Sequence, residues 1–319
     1  MSYQSFPYNG MGRGLNLRDK PDAVDQQECI DAMNVGFSER GAILTRGGYT
    51  RVAASAIKGL TSFENTGGSK RLLTIVGTNL VAYSTGGSSI ATTSLTASAV
   101  PMGSARFGTP GNEYIYLSNG TDVRRFDGTN FTTPSGMPKG QCLCVQPSDN
   151  RLVSTGFLGA ADGPGGATSS PSHVYFSDPG QPETWDANNF VQLTPGDGER
   201  ITGAVAWQGL TFVFKQTKFF VFYGNSVDGG GDPVFNYRAV ESEAGLISRF
   251  GATKTDRGVY FVDREGLYLT TGGSPVRVSD LVEPLWSGQA STFYRGGTIA
   301  DVTSCSLTSY QRRLSLIHI

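Results

Sequence analysis

The chain has 319 residues, 38% hydrophobic and 17% charged, enough to bury a large core. Its 43 glycines follow no three-residue period, which excludes collagen, and 11% aromatics exclude a disordered chain. With 26 basic against 27 acidic residues, and basic runs no longer than pairs such as Arg124-Arg125 and Arg312-Arg313, a surface built to grip nucleic acid is excluded as well.

Residues 1–50 read as an entry and docking module. Pro21-Asp22 suits a helix start, and Ala23, Val24, Ile30 and Met33 predict a short, weakly amphipathic helix. Asn34–Phe37, a Ser38–Gly41 turn and Ala42–Thr45 predict a hairpin. The opening Met1-Ser2-Tyr3-Gln4 has neither a basic nor an apolar leader pattern, and no stretch approaches the ~20 apolar residues of a membrane span.

From residue 51 one pattern recurs. Leu72–Val76 and Leu80–Tyr83 flank Gly77-Thr78-Asn79; Tyr114–Leu117 and Val123–Phe126 flank Ser118–Thr121. Leu210–Phe214 and Phe219–Tyr223 flank Lys215–Lys218; Val259–Val262 and Leu267–Leu269 flank Asp263–Gly266. Turn centres lie about 43 residues apart in the first pair of hairpins and about 49 in the last. The double-length gap between them holds a diverged unit, with strands at Arg151–Ser154 and His173–Phe176 and a Gly/Ser/Pro-rich excursion from Gly159 to Pro171. Each hairpin follows a strand of small residues, as in Gly59–Phe63, Gly103–Phe107, Ile201–Val205 and Phe250–Thr253.

This spacing predicts an all-β chain folded as a β-propeller over 51–313, with about five blades plus the start of another at Ile299–Val302 and Tyr310–Arg313. A lone four-stranded blade cannot cover its own apolar faces, so neighbouring blades cover one another. Small residues suit inner strands crowded near an axis. Tandem β-sandwiches are the alternative.

Little of the sequence carries chemistry. Cys142 and Cys144, two apart, would share one face of a strand, either as half a metal site or as small buried hydrophobes. With Cys29, Cys305, His173 and His318 as the only further Cys or His, no metal site, disulfide framework or cofactor is expected. Asp228–Pro233 places glycines where calcium would want oxygen ligands and reads as a loop. Ser177-Asp178 lacks the two-residue spacing of an Asp-box, and Trp185-Asp186 is a lone dipeptide. Asp178, Glu183, Asp197, Glu199 and Asp263 are acids that glycoside cleavage would need in facing pairs, but most sit in predicted turns. His173 reads as a strand residue rather than a base, so an enzyme is not expected.

Three stretches carry a family resemblance. They are Gly14-Leu15-Asn16 with Pro21, Asn34-Val35 and Gly41–Gly48; Tyr175–Trp185; and Phe214–Tyr223 with Gly245–Ser248, Gly258–Phe261, Glu265–Tyr268 and Val278–Asp280. Together they run through most of the chain. They resemble structural proteins of tailed bacteriophages, the tail-nozzle and head-to-tail stopper group of short-tailed phages. The resemblance implies a virion component, made in the bacterial host cytoplasm, that forms a ring with copies of itself. It also implies docking onto neighbouring connector or tail proteins, with genomic DNA only passing through. On that reading Trp185, Trp286, Tyr294 and Arg295 are contact candidates, although core packing would account for them equally well. A carbohydrate-binding or glycan-cleaving receptor-recognition propeller is the alternative function.

Residues 314–319, Leu-Ser-Leu-Ile-His-Ile, are what a transposase-derived sequencing adapter (CTG TCT CTT ATA CAC ATC) encodes in one frame. The expectation is a library artefact on a truncated fragment; the alternative is a genuine final strand.

Overall fold

The structure is a computed structural model. It describes residues 57–109, 111–224, 226–227, 233–287, 301–310 and 313–318, with shorter stretches at 14–15, 23–24, 28–29, 35–37 and 43–45. In the entry region, β1 (Gly14–Leu15) and β2 (Glu28–Cys29) pair in parallel. The helix expected there is therefore corrected: Ala23 and Val24 lie in a turn and Glu28–Cys29 is extended. Pro21-Asp22 is a permissive start signal, but four apolar residues spread over eleven positions give a helix too little to bury. The hairpin does form, as β3 (Val35–Phe37) with β4 (Ile43–Thr45).

The body is all-β and contains five four-stranded antiparallel sheets in chain order. The first is β5 (Ile57–Glu64), β6 (Lys70–Val76), β7 (Asn79–Ser84) and β8 (Ser89–Ser94). The second is β9 (Gly103–Thr109), β10 (Asn112–Ser118), β11 (Val123–Phe126) and β12 (Phe131–Thr132). The third is β13 (Cys142–Gln146), β14 (Arg151–Thr155), β15 (His173–Asp178) and β16 (Gln181–Gln192). The fourth joins β17 (Gly203–Trp207), β18 (Leu210–Phe214) and β19 (Lys218–Phe222) to β22 (Tyr237–Glu241). Between β19 and β22 a small hairpin, β20 (Ser226–Val227) and β21 (Pro233–Val234), stands apart. The fifth is β23 (Ala252–Lys254), β24 (Val259–Val262), β25 (Leu267–Thr270) and β26 (Val276–Arg277).

After the fifth sheet comes a one-turn helix, α1 (Pro284–Ser287). The chain resumes as a two-stranded sheet, β27 (Cys305–Tyr310) with β28 (Arg313–His318), in register from Tyr310↔Arg313 to Cys305↔His318. The strand expected at Ile299–Val302 is not found at its described end. Val302 instead opens a 3-10 turn, capped by the Asp301 carboxylate, which accepts from the Thr303 amide. A cap of this kind competes with extension because it satisfies the amide locally.

The anticipated hairpins fall where turn chemistry puts them. Val76↔Asn79 closes a two-residue turn, and Ser118↔Val123 closes a loop whose Asn119 side chain accepts from the Thr121 and Asp122 amides. The core is distributed between sheets. Phe63, Leu73, Ile75 and Leu80 of the first sheet meet Ile115, Leu117 and Phe126 of the second. Ala105, Phe107 and Tyr116 of the second meet Leu143 and Leu152 of the third. Val153, Val174 and Phe176 of the third meet Val213, Phe220 and Phe222 of the fourth. Phe212, Phe214 and Phe219 of the fourth meet Val259 and Phe261 of the fifth, and Val262 of the fifth meets Cys305 and Leu307 of β27. Each buried large side chain contributes about 1.5–3 kcal/mol of transfer free energy. Every sheet thus depends on the next one for cover.

Candidate functional site

The first strands of successive sheets lie side by side: β9 packs against β13, β13 against β17, β17 against β23 and β23 against β27. Their small residues permit this. A Cβ on Gly103 would fall 2.3 Å from the Gln141 carbonyl oxygen, and one on Gly203 would fall 2.3 Å from a Leu246 methyl. At Gly103, where the neighbour is backbone, only glycine allows an approach this close.

Between these strands is a cavity of about 290 Å³. Thr61 of β5, Ser104 of β9, Cys142 of β13, Ala204 of β17, Ala252 of β23 and Ser306 of β27 all face it. The Thr61 and Ser104 hydroxyls are 3.0 Å apart. Burial pushes the Cys142 thiol up to about 11, and it lies 3.5 Å from the Thr202 carbonyl oxygen. Cys144, on the same strand face, is buried between the third and fourth sheets, where burial pushes its thiol up to about 12.

Arg249 is the one charged residue among the described residues of the lining. Its Nη2 donates to the Pro101 carbonyl oxygen, which ties the end of the fourth unit to the linker between the first and second sheets. Its guanidinium lies over the Phe250 ring at 4.5 Å, and its Nη1 is buried with no partner among the described residues. Burial pushes its pKa down; Cys142 opposes that shift and the charge of Arg200 adds to it.

A second concavity, of about 450 Å³, lies beside the loop 193–200 and takes in Ser172, Asp197, Glu199, Arg200 and Gln216. Under it Lys215 is fully buried and saturated. Its Nζ donates to Ser172 Oγ at 3.2 Å, the Leu193 carbonyl at 3.0 Å, Thr194 Oγ1 at 2.9 Å and Asp197 Oδ2 at 2.8 Å. Lys218 reaches Asp197 as well, at 3.1 Å. Burial alone would raise the Asp197 pKa. The Lys215 hydrogen bond, helped by Thr194, the Glu199 amide and Lys218, holds it well below the usual carboxylate range instead. Glu199 accepts from Thr217 Oγ1 at 2.6 Å.

Asp197 and Glu199 are the two candidate acids that share a cavity, and Asp197 is committed to lysines. Glu183 accepts from Tyr116 Oη at 2.9 Å and pairs with Arg125, both of the second sheet. Burial and then Glu183 push the Tyr116 phenol up. Asp178 accepts from Asn189, and Asp263 from the Gly245 and Glu265 amides. His173 is buried in β15 against Phe190 at 4.6 Å, and burial lowers its pKa.

Of the contact candidates, Trp185 is half-buried against the core shared by the second and third sheets, and its Nε1 donates to the Pro182 carbonyl at 2.9 Å. Trp286 lies in α1, half-buried, with Nε1 unpartnered among the described residues. Tyr294, Arg295 and most of the Asp228–Pro233 loop lie outside the described residues. Reading the sequence did not single out Arg249 or the Lys215–Asp197 pair. Lys215 falls in a predicted turn and its partner is 18 residues earlier, so no local pattern marks it.

No family model matches the chain, and no curated protein sequence matches it. Among solved structures, a protein of unknown function from Bacteroides caccae is similar at TM-score 0.37 and 10% identity, over 75% of this chain and 85% of that one. The extracellular domain of a one-component system from B. thetaiotaomicron is similar at TM-score 0.42 and 9% identity, over 88% of this chain and 36% of that one. Among the described residues no helix is long and apolar enough to cross a membrane.

Proposed function

We propose that the chain is a β-propeller that serves as a structural component of a phage particle, a tail-nozzle, tail-tube or head-tail connector protein acting by self-assembly and docking. The observation that carries the propeller is the cavity to which the first strands of all five four-stranded sheets and β27 contribute. Tandem sandwiches would divide those strands between two separate cores. Successive sheets covering one another through five shared apolar clusters support the same reading.

The assembly role rests on the resemblance of the entry segment, Tyr175–Trp185 and the Phe214–Asp280 stretches to phage nozzle and stopper proteins. Large apolar side chains left in solvent on the outer parts of the sheets and in loops, Leu158 at 50%, Tyr223 at 44% and Val276 at 64% exposure, give such contacts something to bury. Ring formation is a head-to-tail contact that closes on itself. Light scattering and negative-stain microscopy of the purified chain test it, together with mass spectrometry of virions of the encoding phage. Closed rings and presence in the particle are expected. A concentration-independent monomer absent from virions would overturn the reading, and glycan binding by that monomer would replace it with receptor recognition.

A further inference from the structure

We propose that the cavity between the first strands is a binding site for a small oxyanion, a carboxylate or phosphate group, held by the Arg249 guanidinium. Among the described residues the lining contains one formal charge and it is positive; no Asp or Glu stands beside it there. Arg249 has satisfied one of its nitrogens on the Pro101 carbonyl and leaves Nη1 buried and unpartnered among the described residues. An orphaned donor on a cation is among the more costly groups a fold can bury, and a charged acceptor is its strongest partner.

The surroundings suit an anion. Thr61 and Ser104 share one hydrogen bond between two hydroxyls, so one hydroxyl proton remains to donate. Ser306 and Thr308 of β27 add two more hydroxyls to the lining. The Cys142 thiol, held neutral by burial, sets no negative charge against the ligand. A cavity of about 290 Å³ is several times the ~30 Å³ share of one water, so it admits an oxyanion with its first waters. The nearby Arg200 charge adds to the positive field.

The test uses the full chain with inorganic phosphate and, separately, acetate, each against chloride at matched ionic strength. Thermal unfolding and titration calorimetry are the two readouts. The expected result is a saturable rise in midpoint of several degrees and a matching heat for at least one of the two anions; which one responds separates a phosphate from a carboxylate ligand. Arg249→Met is expected to bind at least about tenfold more weakly. Ser306→Asp, which sets a carboxylate in the lining and keeps Arg249, is expected to abolish the rise as well; it decides the matter if Arg249→Met does not fold. No response to either anion in the unmodified chain would overturn the proposal, since water alone would then occupy the cavity. An equal response in the variants would overturn it too, since the anions would be acting elsewhere.

Discussion

The first and fourth sheets have the same strand count and differ in how far neighbouring sheets cover them. In the fourth, β18 and β19 are buried on both faces: Phe212, Phe214 and Phe219 point to the fifth sheet, and Val213, Phe220 and Phe222 point to the third. In the first, the only apolar cluster among the described residues is the one shared with the second sheet, and β5 leaves Ile57 45% and Leu60 61% exposed. A strand covered on both sides must be apolar at every position, whereas one covered on a single side needs apolar residues only at alternate positions. Phe212–Phe214 and Phe219–Phe222 follow the first rule, whereas in β5 Phe63 alone is fully buried.

The largest expected difference between the two sheets comes from the aromatic layer. Phe214→Ala should cost about 3–5 kcal/mol, read as a fall in guanidinium midpoint or outright failure to fold. If it costs no more than a change in β5, the two-sided burial is not what holds the fourth sheet. Next is Asp197→Asn, expected to cost about 3 kcal/mol because it leaves the buried Lys215 ammonium with neutral acceptors only. Its pH dependence has a definite sign. The folded-state pKa of Asp197 is depressed, so the ion pair contributes fully above the ordinary value of 3.8 and its contribution is lost as pH falls below that. The stability gap between the unmodified chain and Asp197→Asn should therefore be constant near neutrality and close in acid. A gap that widens in acid would show that Asp197 is not the ionised partner.

Smaller effects probe the first strands of the sheets and the sheet-to-sheet contacts. Gly103→Ala should cost about 1–3 kcal/mol, because the new methyl can be accommodated only by parting β9 from β13. Glu183→Gln should cost about 1 kcal/mol by weakening the Arg125 and Tyr116 contacts that hold β16 to the second sheet. Leu60→Ala should stay within about 0.5 kcal/mol, as for an exposed position. A larger loss would mean that β5 is covered in solution.

The four recurring hairpins and the small-residue strands before them were legible because turn formers and uninterrupted apolar runs are local signals. The 12-residue β16 was not, since its pairing with β15 passes through register shifts near Ser177 that no simple alternation announces. The Tyr175–Trp185 stretch was noticed for its motif, yet its observed use is to dock the third sheet on the second through Glu183 and Trp185. Lys215 shows the limit most plainly. A lysine between two strands reads as a solvated turn, and only a loop returning from residues 193–199 encloses it. Arg249 is of the same kind, because its significance depends on Pro101, 148 positions away.

That separation bears on how the chain acquires its structure. Within each sheet, partners are a few to a few tens of residues apart, so a sheet can form soon after its own residues are available, with little loop-closure entropy to overcome. The Arg249–Pro101 link has no such advantage; it requires the second, third and fourth sheets to be made and stacked first. Formation of that link should therefore be a slow, late event, and during synthesis the first strands of the sheets would stay exposed for as long as residue 249 has yet to arrive.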